Sequence, residues 1–228
     1  MIIAIHQPNY LPYLGFFDKM KKSDLFVIYD DAQFNKSDFQ HRNRIRIHNG
    51  WKWLTVPVEK KHLPINEIRI KNEVSTWKGL GWADAHFKDI EDNYKDAAYY
   101  SEYADELKKI YEKRYDKLVE LNMELINFLK DAFDIDVKMV FSSNLGFTSK
   151  STEQLVDITK ALGGDVYLSG PKGRDYLDIS LFDKNGITVE FQDFKHPVYK
   201  QRYEGFIPNM AAIDALFNLG RMIDEDVS

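Results

Sequence analysis

The chain has 228 residues, 44% hydrophobic and 14% aromatic, an ordinary globular composition that argues against disorder and fibrous repeats. Its 31 basic and 36 acidic residues leave a net charge of −5, the wrong balance for a generic nucleic-acid coat protein. There is no cysteine, which removes disulfides, thiolate metal sites and cysteine nucleophiles, and no apolar run approaches the roughly 18 residues of a membrane span.

Ile2 to Ile5 reads as a short buried strand entered directly from Met1, with no basic region ahead of it, so no signal peptide is expected and the expected location is cytoplasmic. The loop His6-Gln7-Pro8-Asn9-Tyr10-Leu11-Pro12 cannot be regular structure, because its prolines remove donors and restrict their neighbours. A helix is expected from about Tyr13 to Lys22, then a second buried strand, Leu25 to Tyr29, ending at Asp30-Asp31. That order is a parallel βαβ unit.

Between Asn35 and Lys71 the chain turns basic, in contrast to its overall charge. Arg44, Arg46 and His48 alternate with Ile45 and Ile47, and Trp51 to Val58 and Ile65 to Ile70 also have strand character. This segment reads as a β-rich insertion or as more of the sheet. From Thr76 to about Phe133 apolar residues recur at helical spacing. Val137 to Phe141 is a strand candidate. Ser151 is expected to cap a helix from Thr152 to Leu162, with Gln154 closing a weak capping box and Gly163-Gly164 ending it. Val166 to Leu168 and Ile187 to Phe191 read as strands, and Ala211 to Ile223 as a closing helix. The expected architecture is one α/β domain over residues 1–228: a mostly parallel sheet with flanking helices, a β-rich basic insertion and a helical middle segment.

Four places could carry chemistry. His6, with Gln7 and Tyr10 in its loop, and the Asp30-Asp31 pair fall at the carboxyl ends of strands, where open α/β sheets bind ligands. There His6 would act as acid/base or phosphate ligand, and the carboxylates would orient it or hold a cation; otherwise all three belong to turns. Arg42, Asn43 and Arg44 sit in the basic strand, where guanidinium forks suit phosphate, unless that face is only solvated. Ser169-Gly170-Pro171-Lys172 follows a strand and could offer backbone N–H groups and an ammonium to phosphate, though it lacks the spacing of a P-loop. His196, Tyr199 and Gln201 lie in a proline-broken aromatic loop suited to a ligand wall. Asp214 interrupts an apolar helix and would need a buried partner. The scattered histidines do not make a metal motif; magnesium would enter only with the phosphates of a bound nucleotide.

The segments His6 to Pro12, Gly15 to Lys19, Asp24 to Val27, Asp30-Asp31-Ala32-Gln33-Phe34, Arg42 to Ile45 and Trp53 to Val58 resemble the opening of the WbqC-like proteins. Tyr167 to Gly170, Tyr176-Leu177-Asp178, His196 to Gln201, Phe206-Ile207-Pro208 and Ile213 to Gly220 are similar to the rest of that pattern. The resemblance implies a role tied to surface polysaccharide, including O-antigen, and does not name a reaction. A weaker likeness links the first loop to the HIGH-motif nucleotidylyltransferases; Gly15 fits, while Phe16 stands where a second histidine belongs.

The leading expectation is a transferase or ligase acting on a nucleotide-activated sugar or other phosphate-bearing precursor. His6, Asp30, Asp31 and His196 would serve catalysis. Gln7, Tyr10, Gln33, Arg42, Asn43, Arg44, Ser169, Gly170, Lys172, Tyr176, Tyr199, Gln201 and Asp214 would bind substrate. The alternatives are a non-catalytic module or scaffold of a glycan-assembly complex and, less favoured, an RNA-linked activity. A two-fold homodimer is the expected assembly if one forms.

Overall fold

The computed structural model describes residues 1–59, 62–76 and 79–222. The chain packs as two compact units. The first contains Met1–Gln7, Gly15–Ala32 and Ile135–Lys195; the second contains Pro8–Leu14, Gln33–Asp134 and the segment from His196 onward.

The first unit is built on five parallel strands: β1 (Ile2–His6), β2 (Leu25–Ile28), β5 (Lys138–Phe141), β6 (Val166–Ser169) and β7 (Thr188–Phe191). Their order across the sheet is β5-β2-β1-β6-β7. The chain therefore starts in the middle, winds outward through β2 to β5, then returns to the other side of β1 through β6 to β7. Successive side chains alternate between faces. Ile3, Ile5, Leu25, Val27 and Tyr167 pack with Leu155, Val156 and Ile158 of helix α5 (Ser151–Ala161) and with Phe182 of helix α6 (Ile179–Lys184). Tyr167 and Phe182 stack nearly parallel, ring centroids 5.0 Å apart. Helix α1 (Leu14–Lys21) brings Phe16 edge-on to Phe26 at 5.2 Å and to His6 at 4.8 Å. Complete burial of aromatic and aliphatic side chains such as Ile3, Phe16 and Phe26 supplies about 1.5–3 kcal/mol each.

The α/β architecture, the parallel βαβ opening and every sheet strand are as the sequence pattern predicts. The helix expected from Thr152 differs at its start. Ser151 is already helical in position, has a φ of +53°, and follows Lys150, which provides no side-chain cap. Gln154 turns away from the cap because its amide is used by Tyr29 and Asp31. The stop at Gly163-Gly164 is as expected: Gly163 has a φ of +74°, and the Gly164 N–H donates back to the Thr159 carbonyl at 2.8 Å.

In the second unit the basic segment forms an antiparallel ribbon of its own, β3 (Arg42–Ile47) with β4 (Gly50–Thr55), separate from the parallel sheet. The strand expected at Ile65 to Ile70 is instead a 3-10 turn over Ile65–Glu67 that leads into isolated bridges at Arg69 and Ile70. Pro64 gives it no N–H to donate, and the Ile68 N–H closes onto the Ile65 carbonyl. The helical stretch comprises α2 (Trp82–Tyr94), α3 (Tyr100–Glu112) and α4 (Leu118–Ala132); Trp77 and Lys78 of that expectation lie outside the described residues. Helix α7 (Ile213–Leu219) ends at Gly220, whose φ is +70°, and Ile223 lies outside the described residues. Phe217 packs on Tyr94 and Tyr100 at 5.4 and 5.1 Å. Among the described residues no helix is long and apolar enough to cross a membrane.

Candidate functional site

The direction of winding reverses between β1 and β6, so the carboxyl ends of these two strands flank a topological switch point. Their pairing ends at Ala4 with Leu168, whereas β6 continues beside β7 as far as Ser169 with Phe191. Beyond Ala4 the two central strands part. His6 ends one of them, and Ser169-Gly170 ends the other.

His6 is half-buried, and its Nδ1 lies 2.9 Å from the Gln7 carbonyl oxygen. A carbonyl can only accept, so Nδ1 carries the proton and Nε2 keeps its lone pair. Burial, with the Lys19 ammonium second, lowers the pKa of His6 to about 3. The ring is therefore neutral at physiological pH, able to accept a hydrogen bond at Nε2 but offering no positive charge to phosphate.

Carbonyls along β1 alternate in direction. Those of Ile2 and His6 accept from Asp24 and Tyr29, on the β2 side, and that of Met1 accepts from Val166, on the β6 side. By the same alternation the Ile5 carbonyl faces the β6 side, one step past the last β1–β6 pair. There it accepts from Lys19 Nζ at 2.8 Å. Lys19 is only 2% exposed, and burial lowers its pKa to about 7. Sequence reasoning passed over this residue. The signal was a lysine beside Phe16, Phe17 and Met20, on the buried side of a short helix.

Asp30 and Asp31 follow β2 at the same edge of the sheet. Asp30 accepts from the Ser143 N–H at 3.0 Å, the Ser143 hydroxyl at 2.7 Å and the Ser142 hydroxyl at 3.1 Å. Asp31 accepts from the Ser142 hydroxyl and from Gln154 Nε2. The pair thus ties the turn after β5 and the start of α5 to the end of β2. Among the described residues no three His, Asp or Glu side chains gather as metal ligands.

After β6 the chain makes a 3-10 turn, Pro171–Asp175. Ser169 is buried and its hydroxyl donates to the Gly170 carbonyl at 3.1 Å. A Cβ on Gly173 would come within 2.1 Å of that hydroxyl oxygen and 2.9 Å of Leu177 Cδ1, so a side chain there would require both neighbours to shift. Lys172 is exposed on this turn, and Tyr176 beyond it is 66% exposed. His6, Gln7, Asp30, Asp31, Ser169, Gly170, Lys172 and Tyr176 all belong to the first unit.

The remaining sequence candidates belong to the second unit. Tyr10 is completely buried in a relay: its hydroxyl lies 2.5 Å from that of Tyr111 and 2.8 Å from His86 Nδ1. Asn43 is buried too; its amide donates to the Leu11 carbonyl at 2.6 Å and its oxygen accepts from the Arg44 N–H. That bond pins Leu11, which has a φ of +41°. Gln33 donates to the Leu63 carbonyl at 3.1 Å.

Arg42 stacks over Trp53 at 4.6 Å and donates to the Ser37 carbonyl at 2.7 Å. Arg44 lies over Trp51 at 5.1 Å and donates to the Asn209 carbonyl at 3.2 Å. Both guanidinium groups therefore rest on indole faces and backbone oxygens.

Asp214 is fully buried and accepts from Tyr94, Tyr199 and Gln201 at 2.9, 2.7 and 2.8 Å. Burial raises its pKa, against the three hydrogen bonds and Arg46, which lower it. His196 Nδ1 lies 2.9 Å from the Pro197 carbonyl oxygen, and its ring packs on Tyr199 and Phe206 at 6.1 and 5.6 Å.

Residues 7–224 match the model of the WbqC-like protein family. A Mycobacterium tuberculosis protein (strain ATCC 25618 / H37Rv), described as uncharacterized protein Rv1507c, is 37% identical over 223 residues, covering 96% of this chain and 94% of the relative. No solved structure matches the chain. With nearly its whole length matched on both counts, the chain belongs to the WbqC-like protein family.

Proposed function

We propose that the protein is a group-transferring or ligating enzyme that acts on a nucleotide-activated sugar or another phosphate-bearing precursor of surface polysaccharide, of the O-antigen type. The observation that carries this reading is the winding reversal between β1 and β6, with His6 ending one central strand and Ser169-Gly170 the other. Open α/β sheets take their ligands at such a point. His6 is the acid/base group: its Nε2 lone pair is free of the Gln7 contact, and the phosphate of a bound substrate would raise its lowered basicity. Lys172 and the backbone of the turn at Ser169-Gly170 hold phosphate. Asp30 and Asp31 brace the neighbouring strand end.

A thermal-shift screen with nucleotides and nucleotide sugars tests this reading, comparing wild type with His6→Ala. A ligand at about 100 times its Kd adds roughly 2.7 kcal/mol of stability, enough to see as a clear rise in melting temperature. Absence of any shift in the wild type at millimolar concentration would refute the reading.

A second reading, a non-catalytic module of a glycan-assembly complex, is favoured by the β3–β4 ribbon. There Trp51 is 42% exposed with Arg44 over its ring, and Arg42 lies over Trp53, a surface of aromatic and cationic character. Recovery of a stoichiometric protein partner, with cellular function intact in His6→Ala, would favour it over the enzyme.

A further inference from the structure

The Lys19 side chain poses a chemical problem that the protein alone does not solve. An ammonium removed from water is costly unless an anion compensates it. Lys19 is 2% exposed and donates to the neutral carbonyl of Ile5 at 2.8 Å. No carboxylate among the described residues lies within ion-pair distance of it. Asp18, next to it in sequence, is engaged by Lys22 at 2.9 Å and by Gln192 Nε2 at 2.6 Å. Asp30 and Asp31 are held by Ser142, Ser143 and Gln154. A leucine or methionine would fill the same space without the penalty.

Position supplies the second half of the argument. The carbonyl that receives Lys19 is the first on the β6 side of β1 left without a β6 partner, at the divergence of the two central strands. His6 is the next residue along β1, close enough for the Lys19 charge to lower its pKa. An ammonium and a neutral imidazole thus stand together at the switch point.

We propose that Lys19 is a substrate-binding residue whose ammonium, anchored on the Ile5 carbonyl where β1 and β6 part, pairs with a phosphate of the substrate, most naturally the diphosphate of a nucleotide-linked group. This deepens the enzymatic reading above and rests on it. The Ile5 carbonyl aims the Nζ and occupies one N–H, leaving two for phosphate oxygens. The compact charge of lysine, rather than a guanidinium fork, suits such a single-point contact. The unpaired charge weakens the free protein and is compensated when the anion arrives, the expected trade between stability and function at a binding site.

The test uses inorganic pyrophosphate and a panel of nucleotide sugars, titrated calorimetrically into wild type and Lys19→Met. The expected result is pyrophosphate binding by wild type, at least tenfold weaker binding by Lys19→Met, and a ligand-free melting temperature for the variant equal to or above that of wild type. An unchanged pyrophosphate Kd in the variant, or no pyrophosphate binding by wild type, overturns the proposal. So does a variant that melts lower yet binds equally well, because Lys19 would then be a structural cap for Ile5. Should Lys19→Met fail to fold, the lysine-Nζ magnetic resonance spectrum of ¹⁵N-labelled wild type decides, with the signal assigned through Lys19→Arg. A shift of the Lys19 ammonium on adding pyrophosphate supports the proposal, and an unmoved signal overturns it. The two readings fail separately. Nucleotide-sugar binding that is indifferent to Lys19 removes this inference alone; Lys19-dependent pyrophosphate binding with no response to any nucleotide or nucleotide sugar removes the enzymatic reading alone.

Discussion

The Tyr199 hydroxyl donates to the Asp214 carboxylate at 2.7 Å, joining the aromatic loop after His196 to the final helix of the second unit. Tyr94 and Gln201 complete the set, and Tyr94 accepts in turn from the Arg46 N–H at 2.9 Å. Every donor around Asp214 needs an acceptor there. Asp214→Asn puts an amide N–H₂ against one of them and should cost about 1–3 kcal/mol, with Asp214→Ala costing more. Because burial raises the carboxyl's pKa, this residue favours the folded state most at pH below its unfolded value, and that contribution is lost as pH rises through the folded value. Urea denaturation of wild type and Asp214→Asn at pH 4 and pH 7 checks both points; equal midpoints for the two proteins would contradict the network.

Lys19 and His6 predict the opposite trend. Both have folded pKa values below their ordinary ones, Lys19 about 7 against 10.5 and His6 about 3 against 6.5. Between pH 7 and 10.5 the unfolded chain holds the extra proton at Lys19, so stability from this site rises with pH. Between pH 3 and 6.5 the same holds for His6, and stability falls on acidification. The limiting slope is about 1.4 kcal/mol per pH unit for each proton. Stability measured from pH 7 to 9 should therefore climb more steeply for wild type than for Lys19→Met. Parallel curves would show that the buried amine stays charged.

A side chain at Gly173 is expected to destabilise the turn. A Cβ there would stand 2.1 Å from Ser169 Oγ and 2.9 Å from Leu177 Cδ1. Gly173→Ala should lose about 1–3 kcal/mol through overpacking and displace the turn that carries Lys172. Ser169→Ala in the same chain removes the nearer obstacle and should recover part of that loss. A double-mutant cycle by chemical denaturation measures the coupling, and strict additivity would argue against the contact.

Arg44 contributes stacking as well as charge. Its guanidinium lies over Trp51 at 5.1 Å and Trp53 at 5.7 Å. Arg44→Ala should cost about 0.5–1 kcal/mol from the lost cation–π contact, and Arg44→Lys should recover only part of it, since an ammonium cannot lie flat on an indole. Indole fluorescence during denaturation reports both midpoints. Equal stability of all three proteins would mean that the stack has no energetic weight.

The parallel sheet was legible because its strands are short apolar runs bounded by turn formers, a local signal. So was the position of His6, since a strand end followed by proline can be read without knowing any neighbour. Ile65 to Ile70 misled for a local reason too: isoleucines suggest a strand, but the proline ahead of them favours a tight turn. Ser151 misled because its expected capping partner, Gln154, is committed to Tyr29 and Asp31, far away in sequence.

Apolar periodicity and turn chemistry determined the α/β class and the βαβ opening, because each is a property of neighbouring residues, and the short motifs spread along the chain carried the resemblance to the family. Tertiary structure alone decided that β6 lies beside β1, which creates the switch point, and that Lys19 loses its water there without gaining a carboxylate. It also decided that the Tyr10 hydroxyl and the Asp214 carboxylate are engaged by buried neighbours. The physical reason is the same throughout: strand order, desolvation and pairing of charges depend on groups brought together from distant parts of the chain, and a linear pattern carries no record of which distant groups those are.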